Sequence, residues 1–301
     1  MKAMEGSSSS ADGQAEAAWQ RAVRAADRAA RETATAERHE RRFAETGRMF
    51  HSTMAARHHA VAERHLTAAR LQESYARRVR EWSNGHGPGR PEALGVDRPL
   101  FMAGVAEVCG TSSAALTLMG DDLSQLAVAA SDRPSRGAQD LEYVLTAGPG
   151  REAARAGSAV YVSGAAIEEC WPGYGSGLAA LGLSSVAALP LTVAPRCIGA
   201  LTVFDPPSAL AGSGALDEVA AALTAGVLLG PDADPGLYGG ADIRAAVHQA
   251  AGALSEQTGA SIGDALALIK ARAFALGEAP DSVARRFLSG ELKLSAPREG
   301  P

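Results

Sequence analysis

From Ala15 to Trp82 the chain has no proline and a single glycine, Gly47. Ala, Arg and Glu dominate this stretch, and all three are good helix formers. A run of this length without a breaker folds as one long helix or as a helical hairpin hinged near Gly47. Its larger apolar residues are sparse: Trp19, Val23, Ala26 and Ala30, then Phe43, Phe50 and Met54, then Leu71, Tyr75, Val79 and Trp82. Several intervals are three, four or seven, which predicts one buried seam with an interrupted heptad. A helix this polar needs a partner, either another copy of itself or a second helix of the same chain.

The stretch also holds His39, His51, His58, His59 and His65. His51, His58 and His65 are seven apart and share a face of a continuous helix. Stacked histidines can sense pH or bind metal. Solvated helix surface is the plainer reading, because no carboxylate or cysteine completes a ligand set. No ATP-binding half follows, which sets aside a phosphoacceptor helix.

Flanking segments give the domain plan. Residues 1–14 are polar, with serine at every position from Ser7 to Ser10, and are expected to be a disordered tail. The helical segment is placed at 15–83, and Ser83 to Pro91 reads as a linker. A middle domain over 94–230 opens with a helix from Pro99 to Gly110, with Leu100, Phe101, Val105 and Val108 inward. Strands follow at Ala114–Met119 and Leu123–Ala130, around a Gly120-Asp121-Asp122 turn. Next come a short helix at Ala138–Leu145, a Gly148-Pro149-Gly150 turn and a strand at Ala159–Val162. A mobile Gly-rich stretch from Cys170 to Gly177 leads into a helix at Leu178–Leu181. Strands at Ser185–Val193 and Ile198–Phe204 then precede a closing helix at Leu216–Leu229. That order predicts an α+β fold: an antiparallel sheet covered by helices on one face.

Residues 241–294 read as three short helices. Ile243, Ala246, Val247, Ala250 and Leu254 recur at helical spacing, and Gly259 breaks the pattern. Ser261 followed by Asp264 resembles a capping box. Ile262, Ala265, Leu266, Ile269 and Ala273 make a second stripe, ended by Gly277. Pro280 suits the first turn of a third helix, with Val283, Ala284, Phe287 and Leu288 inward and Gly290 as its stop.

The same residues carry a resemblance. The string VHQAAGAL, an Ala-Leu pair further on, and ARAFALGEAPDSVARRFLSGEL resemble an ANTAR domain, the three-helix RNA-binding module of bacterial transcription antiterminators. The resemblance covers about 50 of the 301 residues. Gln249, Ala250 and Gly252 match its first helix, Ala265, Leu266 and Ala273 its second, and Val283 and Ala284 its third. Many such first helices carry a basic residue just before the glycine, where this chain has Ala251. The middle domain is similar to a GAF domain, a small-molecule sensor fold often placed before ANTAR modules in actinobacterial regulators. The hairpin around Gly120, the segment LEYVLTAGPGREAARAGSAVYV and the pair VAALPLTVAPRCIGALTVF carry that similarity.

Charge bears on the implied function. Net charge is −5, and the C-terminal 241–294 segment has 6 basic and 6 acidic side chains. Residues 1–84 have 15 and 11, and 85–240 have 7 and 16. An RNA-binding module therefore has to gather its cations on one face. Arg244, His248 and Gln249 on the first helix, mid-helix Gly252, Lys270 and Arg272 on the second, and Arg285 and Arg286 on the third are the RNA-binding candidates. Gly252 admits either a nucleic-acid backbone or the third helix. Tyr161, Trp171 and Tyr174 are candidates for an aromatic wall of a small-molecule pocket in the middle domain.

Cys109, Cys170 and Cys197 have no metal-ligand spacing and read as free thiols of a reducing compartment. No signal peptide is read, and the longest apolar run, Val219–Leu229, is too short to span a bilayer. The sequence shows no nucleophile–base pair, metal set or phosphate-cradling loop. The expectation is a cytoplasmic, non-enzymatic regulator without cofactor. The resemblance implies that it binds paired RNA stem-loops as a homodimer, under control of an unknown ligand of the sensor. The alternative is an interaction protein whose C-terminal helices bind a protein partner; a duplex-DNA-binding module is a weaker third.

Overall fold

A computed structural model of the chain describes residues 2–85, 101–230 and 244–294. Helix α1 spans Lys2–Thr46 and α2 spans Met49–Gly85. Gly47 joins them in the left-handed region, at φ 63°. The hairpin alternative therefore holds, and the partner of each helix is the other.

The seam differs from the expected one. On α1 the buried alanines are Ala11, Ala15, Ala18, Ala22, Ala25 and Ala29, alternating by four and three, and then Ala36, one heptad on. On α2, Ala55, Ala62, Ala69 and Ala76 are buried, with Gln72 and Val79. Trp19 and Val23 instead stand outside, each 41% exposed, and Arg80 lies over the Trp19 ring at 5.5 Å. Small side chains let the two backbones approach closely, so alanine defines the contact and the larger residues flank it. Part of the segment expected to be a disordered tail is helical and joins that contact. The helix begins at Lys2, and Ala11 is packed into the core that holds Leu71 and Tyr75. The region read as a linker starts later than Ser83, since α2 continues to Gly85.

Towards the tip the seam turns polar. The same three-four spacing that places alanine inside places Glu32 and His39 on α1 opposite His51 and His58 on α2. His39 Nδ1 and His51 Nδ1 are 2.9 Å apart, and His58 Nδ1 is 2.6 Å from Glu32 Oε2. The His39 and His58 rings stack at 5.6 Å. The carboxylate missing from the linear pattern thus comes from the opposite helix. No group of three or more His, Cys, Asp or Glu side chains among the described residues is arranged to hold a metal ion.

The middle of the chain folds as expected in class, α+β. Strands β1 (Ala114–Met119), β2 (Gln125–Ala130), β3 (Val160–Ser163), β4 (Ser185–Val193) and β5 (Arg196–Phe204) form an antiparallel sheet in the order β2-β1-β5-β4-β3. Helices cover both faces rather than one. Helices α3 (Phe101–Val108) and α8 (Ala215–Ala222), with α2 packed over them, bury Leu116, Leu189, Leu201 and Val203. Helices α4 (Arg133–Leu145), α6 (Ala166–Cys170) and α7 (Tyr174–Ala180) bury Ala115, Val186 and Phe204 on the opposite face. The reason lies in the strands themselves. Neighbouring residues such as Val203 and Phe204 are both fully buried, so neither face of the central strands is open to solvent. Gly104 permits the close approach of α3 to α2, since a Cβ there would lie 2.8 Å from the Tyr75 amide nitrogen.

Two segments fold differently from the sequence expectation. Gly148-Pro149-Gly150 opens a helix, α5 (Pro149–Ala156), with Pro149 in its first turn. The stretch from Cys170 to Gly177 contains the end of α6 and the start of α7, not a mobile loop. Helix α8 continues as a π-helical turn over Leu223–Leu228.

The hairpin is expected to be acid-sensitive. Partial desolvation, then His51, His58 and Arg38, hold His39 below the ordinary 6.5. Desolvation and then Arg28 hold His65 below it too, although Glu32 opposes. Both groups favour the neutral form when folded, so their contribution is full above 6.5 and is lost as pH falls to their folded values. Circular-dichroism melts should show the thermal midpoint falling over that window, and replacing His39 and His65 by Gln should flatten the fall. Ala22→Leu, at the seam, should cost about 1–3 kcal/mol by overpacking; an unchanged midpoint would contradict the alanine contact.

Candidate nucleic-acid interface

The C-terminal residues form helices α9 (Ala245–Thr258), α10 (Ile262–Leu276) and α11 (Pro280–Leu288). Gly259 and Gly277 end α9 and α10 in the left-handed region, at φ 69° and 63°. The Asp264 amide donates to Ser261 Oγ at 3.1 Å, and Ser261 Oγ donates to Asp264 Oδ2 at 2.7 Å. Val247, Ala250, Leu254, Ala265, Ile269, Ala273, Val283, Ala284 and Phe287 form the core of the module. Residues 241–243, including Ile243, lie outside the described residues. Ile262 and Leu288 were expected inward and are 59% and 44% exposed. Each sits in a terminal turn, and Ala251 and Leu292 fill the core instead. The burial of Ala251 means that this position faces inward here and is not where a cation would reach solvent.

The eight RNA-binding candidates do not form one cationic face. Arg244 is the largest departure: it is fully buried against the α/β domain. Its Nε donates to Gln125 Oε1 at 3.0 Å, Nη1 to Asp140 Oδ1 at 2.5 Å and Nη2 to the Gln139 carbonyl at 2.9 Å. Its guanidinium carbon lies 4.2 Å from the centre of the Tyr143 ring. Burial pushes the Asp140 carboxyl up from its ordinary value, and Arg244 offsets part of that. Arg244 is thus a latch between module and sheet domain rather than an outward cation.

Lys270 and His248 face the same way. Lys270 Nζ lies 4.0 Å from the Tyr143 ring centre. Burial, then Arg244 and Arg151, lower it to about 8. His248 is half-buried, and its Nε2 has no hydrogen-bond partner. Arg286 is held within the module by Glu278 at 2.5 Å and Glu291 at 2.9 Å. Arg285 pairs at 2.8 Å with the buried Asp281, which also accepts from Arg136 of α4 at 2.5 Å. Gln249, Gly252 and Arg272 are exposed, and so is Arg285 despite its ion pair. A Cβ built on Gly252 would meet nothing within 4 Å, so close packing against the third helix does not explain this glycine.

The expected aromatic wall does not assemble. Trp171 and Tyr174 meet edge to face at 6.0 Å inside the core beneath α4. Tyr161 pairs in register with Ala187 and points to the other face of the sheet, beside Asp217 of α8. The period-two alternation of β3 separates it from the other two. Burial pushes the Cys109 thiol up to about 12, whereas Cys170 is exposed.

Gln125 and Asp140 were not legible as partners of Arg244, nor Arg136 as a partner of Asp281, because more than 100 residues separate each pair in the sequence. Comparison with protein-family models and with curated proteins finds no match to this chain. No helix among the described residues is long and apolar enough to cross a membrane.

Removing Arg244 tests the latch. Arg244→Met leaves Asp140 buried without its cation, a type of change that costs about 3–5 kcal/mol. Hydrogen exchange should accelerate across α9–α11, with the sheet strands least affected. Unchanged exchange in α9–α11 would show that other contacts hold the module.

Proposed function

We propose that this chain is an RNA-binding transcription antitermination regulator in which the α/β domain controls the C-terminal three-helix module. Gly252 carries the reading. A glycine inside a helix costs about 1 kcal/mol relative to alanine. No internal contact accounts for it, because a Cβ there would enter open space. Close approach of an external backbone does account for it. The resemblance to an ANTAR domain, with its RNA stem-loop target, names that backbone as RNA. The similarity of the middle domain to a GAF sensor gives the input side.

The contact surface is narrower than the residue list. Gln249, Gly252 and Arg272 face solvent, and Gln249 can hydrogen-bond an unstacked base. Arg244, His248 and Lys270 are turned towards the α/β domain, so they serve control of the module in its docked form. A homodimer would engage a paired target. The hairpin seam is already filled, so dimer contacts fall to outer residues such as Trp19 and Phe43.

Gly252 gives a direct test. Gly252→Ala should raise stability by about 1 kcal/mol in the open helix position while weakening hairpin-RNA binding, and Gly252→Leu should weaken it further. Gel shifts at several salt concentrations should show a shallower salt slope for Arg272→Glu. Equal RNA affinity in wild type and Gly252→Leu would overturn the reading.

One observation favours a protein partner instead. Phe274 is 72% exposed on α10, and Ile262, Leu276 and Leu288 of the same module are exposed too. If these side chains carry the function, Phe274→Asp abolishes partner binding and RNA binding is absent from the start.

A further inference from the structure

A cleft of about 70 Å³ separates the α/β domain from the C-terminal module. Glu142, Tyr143 and Arg151 line one side, and His248, Leu266 and Lys270 line the other. Its polar groups are incompletely matched. Glu142 is 2% exposed, and its Oε1 accepts from the Arg151 amide at 2.6 Å, capping the start of α5. Gly148 leaves room for this carboxyl, since a Cβ there would lie 2.7 Å from Glu142 Cγ. Glu142 Oε2 has no partner, nor have the Tyr143 hydroxyl and His248 Nε2. No carboxylate among the described residues forms an ion pair with Lys270. Its charged neighbours, Arg244 and Arg151, are cations.

A buried carboxyl oxygen, a buried imidazole nitrogen and a half-buried ammonium without an acid are costly to leave unmatched. An anion with several acceptor oxygens matches the ammonium and an imidazole N–H, and it matches the carboxyl when that group holds its proton. Size restricts it further. One water takes about 10–15 Å³ of such space, so the cleft admits a few non-hydrogen atoms and excludes a nucleotide. We propose that this cleft binds a small oxyanion, either phosphate or a short-chain carboxylate, between Lys270 Nζ, His248 Nε2 and the Glu142 carboxyl. Burial raises Glu142 to about 7, so near neutrality its protonated form can donate to the anion. Asp140 is already committed to Arg244 and does not compete for Lys270.

The location gives the site a consequence. Its ligand touches both units, and Gln125 lines the cleft while accepting from Arg244. Occupancy therefore strengthens docking of the module on the sheet domain. This moves the ligand site away from Tyr161, Trp171 and Tyr174, and it stands whether or not the module binds RNA.

The test is calorimetric titration of the full chain with sodium phosphate and, separately, sodium acetate, in chloride buffer at constant ionic strength. Saturable one-to-one binding of either anion is expected, and the arm that binds assigns phosphate or carboxylate. Lys270→Met should weaken it at least tenfold. Arg155→Met, an equal charge change at an exposed residue paired with Glu152, should leave it unaltered. His248→Leu provides a second variant should Lys270→Met fold poorly. In an NMR titration the bound anion should also raise Lys270 from about 8. Absence of saturation with both anions, or equal weakening by Arg155→Met and Lys270→Met, would overturn the site.

Discussion

An arginine withdrawn from water has to find its hydrogen bonds and its counter-charge in the protein. Arg244 finds them on Gln125, Gln139 and Asp140, in β2 and α4. That requirement fixes how the C-terminal helices sit. It brings Lys270 over the same Tyr143 ring, sets His248 against the cleft and lets Arg136 reach Asp281 at the start of α11. Remove the guanidinium, and the acidic and amide groups gathered on α4 lose the cation that orders them. Tyr143 of α4 also packs into the module's own core beside Val247, Ala250 and Ile269, so docking and folding of the three helices are coupled.

The sheet domain sits between two kinds of packing. On one face the α1–α2 hairpin lies over α3 and α8 through alanine and a few large side chains. On the other, α4 covers a mixed surface in which Thr117 donates to Gln139 at 2.7 Å and Glu142 caps α5. The polar side is therefore the side that receives the C-terminal module. A helix whose outer surface carries Asp140 and Tyr143 offers a charged partner and a ring face, and both are used by cations from α9 and α10. Signals that alter α4 or the adjoining cleft have a short physical route to the module, whereas the hairpin lies across the sheet from it.

Much of the fold could be read from the chain. Proline-free composition and Gly47 marked the hairpin, and apolar runs bounded by turns marked the strands of the sheet. Gly259, Ser261, Gly277 and Pro280 marked the ends of the last helices. Each of these signals is local, because caps, breakers and periodicity act within a few residues. The alanine seam is not marked in the sequence, because large apolar residues such as Trp19 and Val23 stand out while close helix packing selects the smallest side chain. The second helical layer on the sheet was missed because a strand buried on both faces has no alternation to read.

The candidate site was legible only as a set of residue types. Sequence alone determined that a three-helix module follows a sheet domain, and that Gln249, Gly252 and several cations belong to it. Tertiary structure alone decided which of those cations reach solvent. Helical spacing specifies the face of an isolated helix, but burial of Arg244 and Lys270 depends on Asp140, Gln125 and Tyr143, far away in the chain. Charge and aromatic partners found across that distance have no periodicity, so no local pattern could announce them.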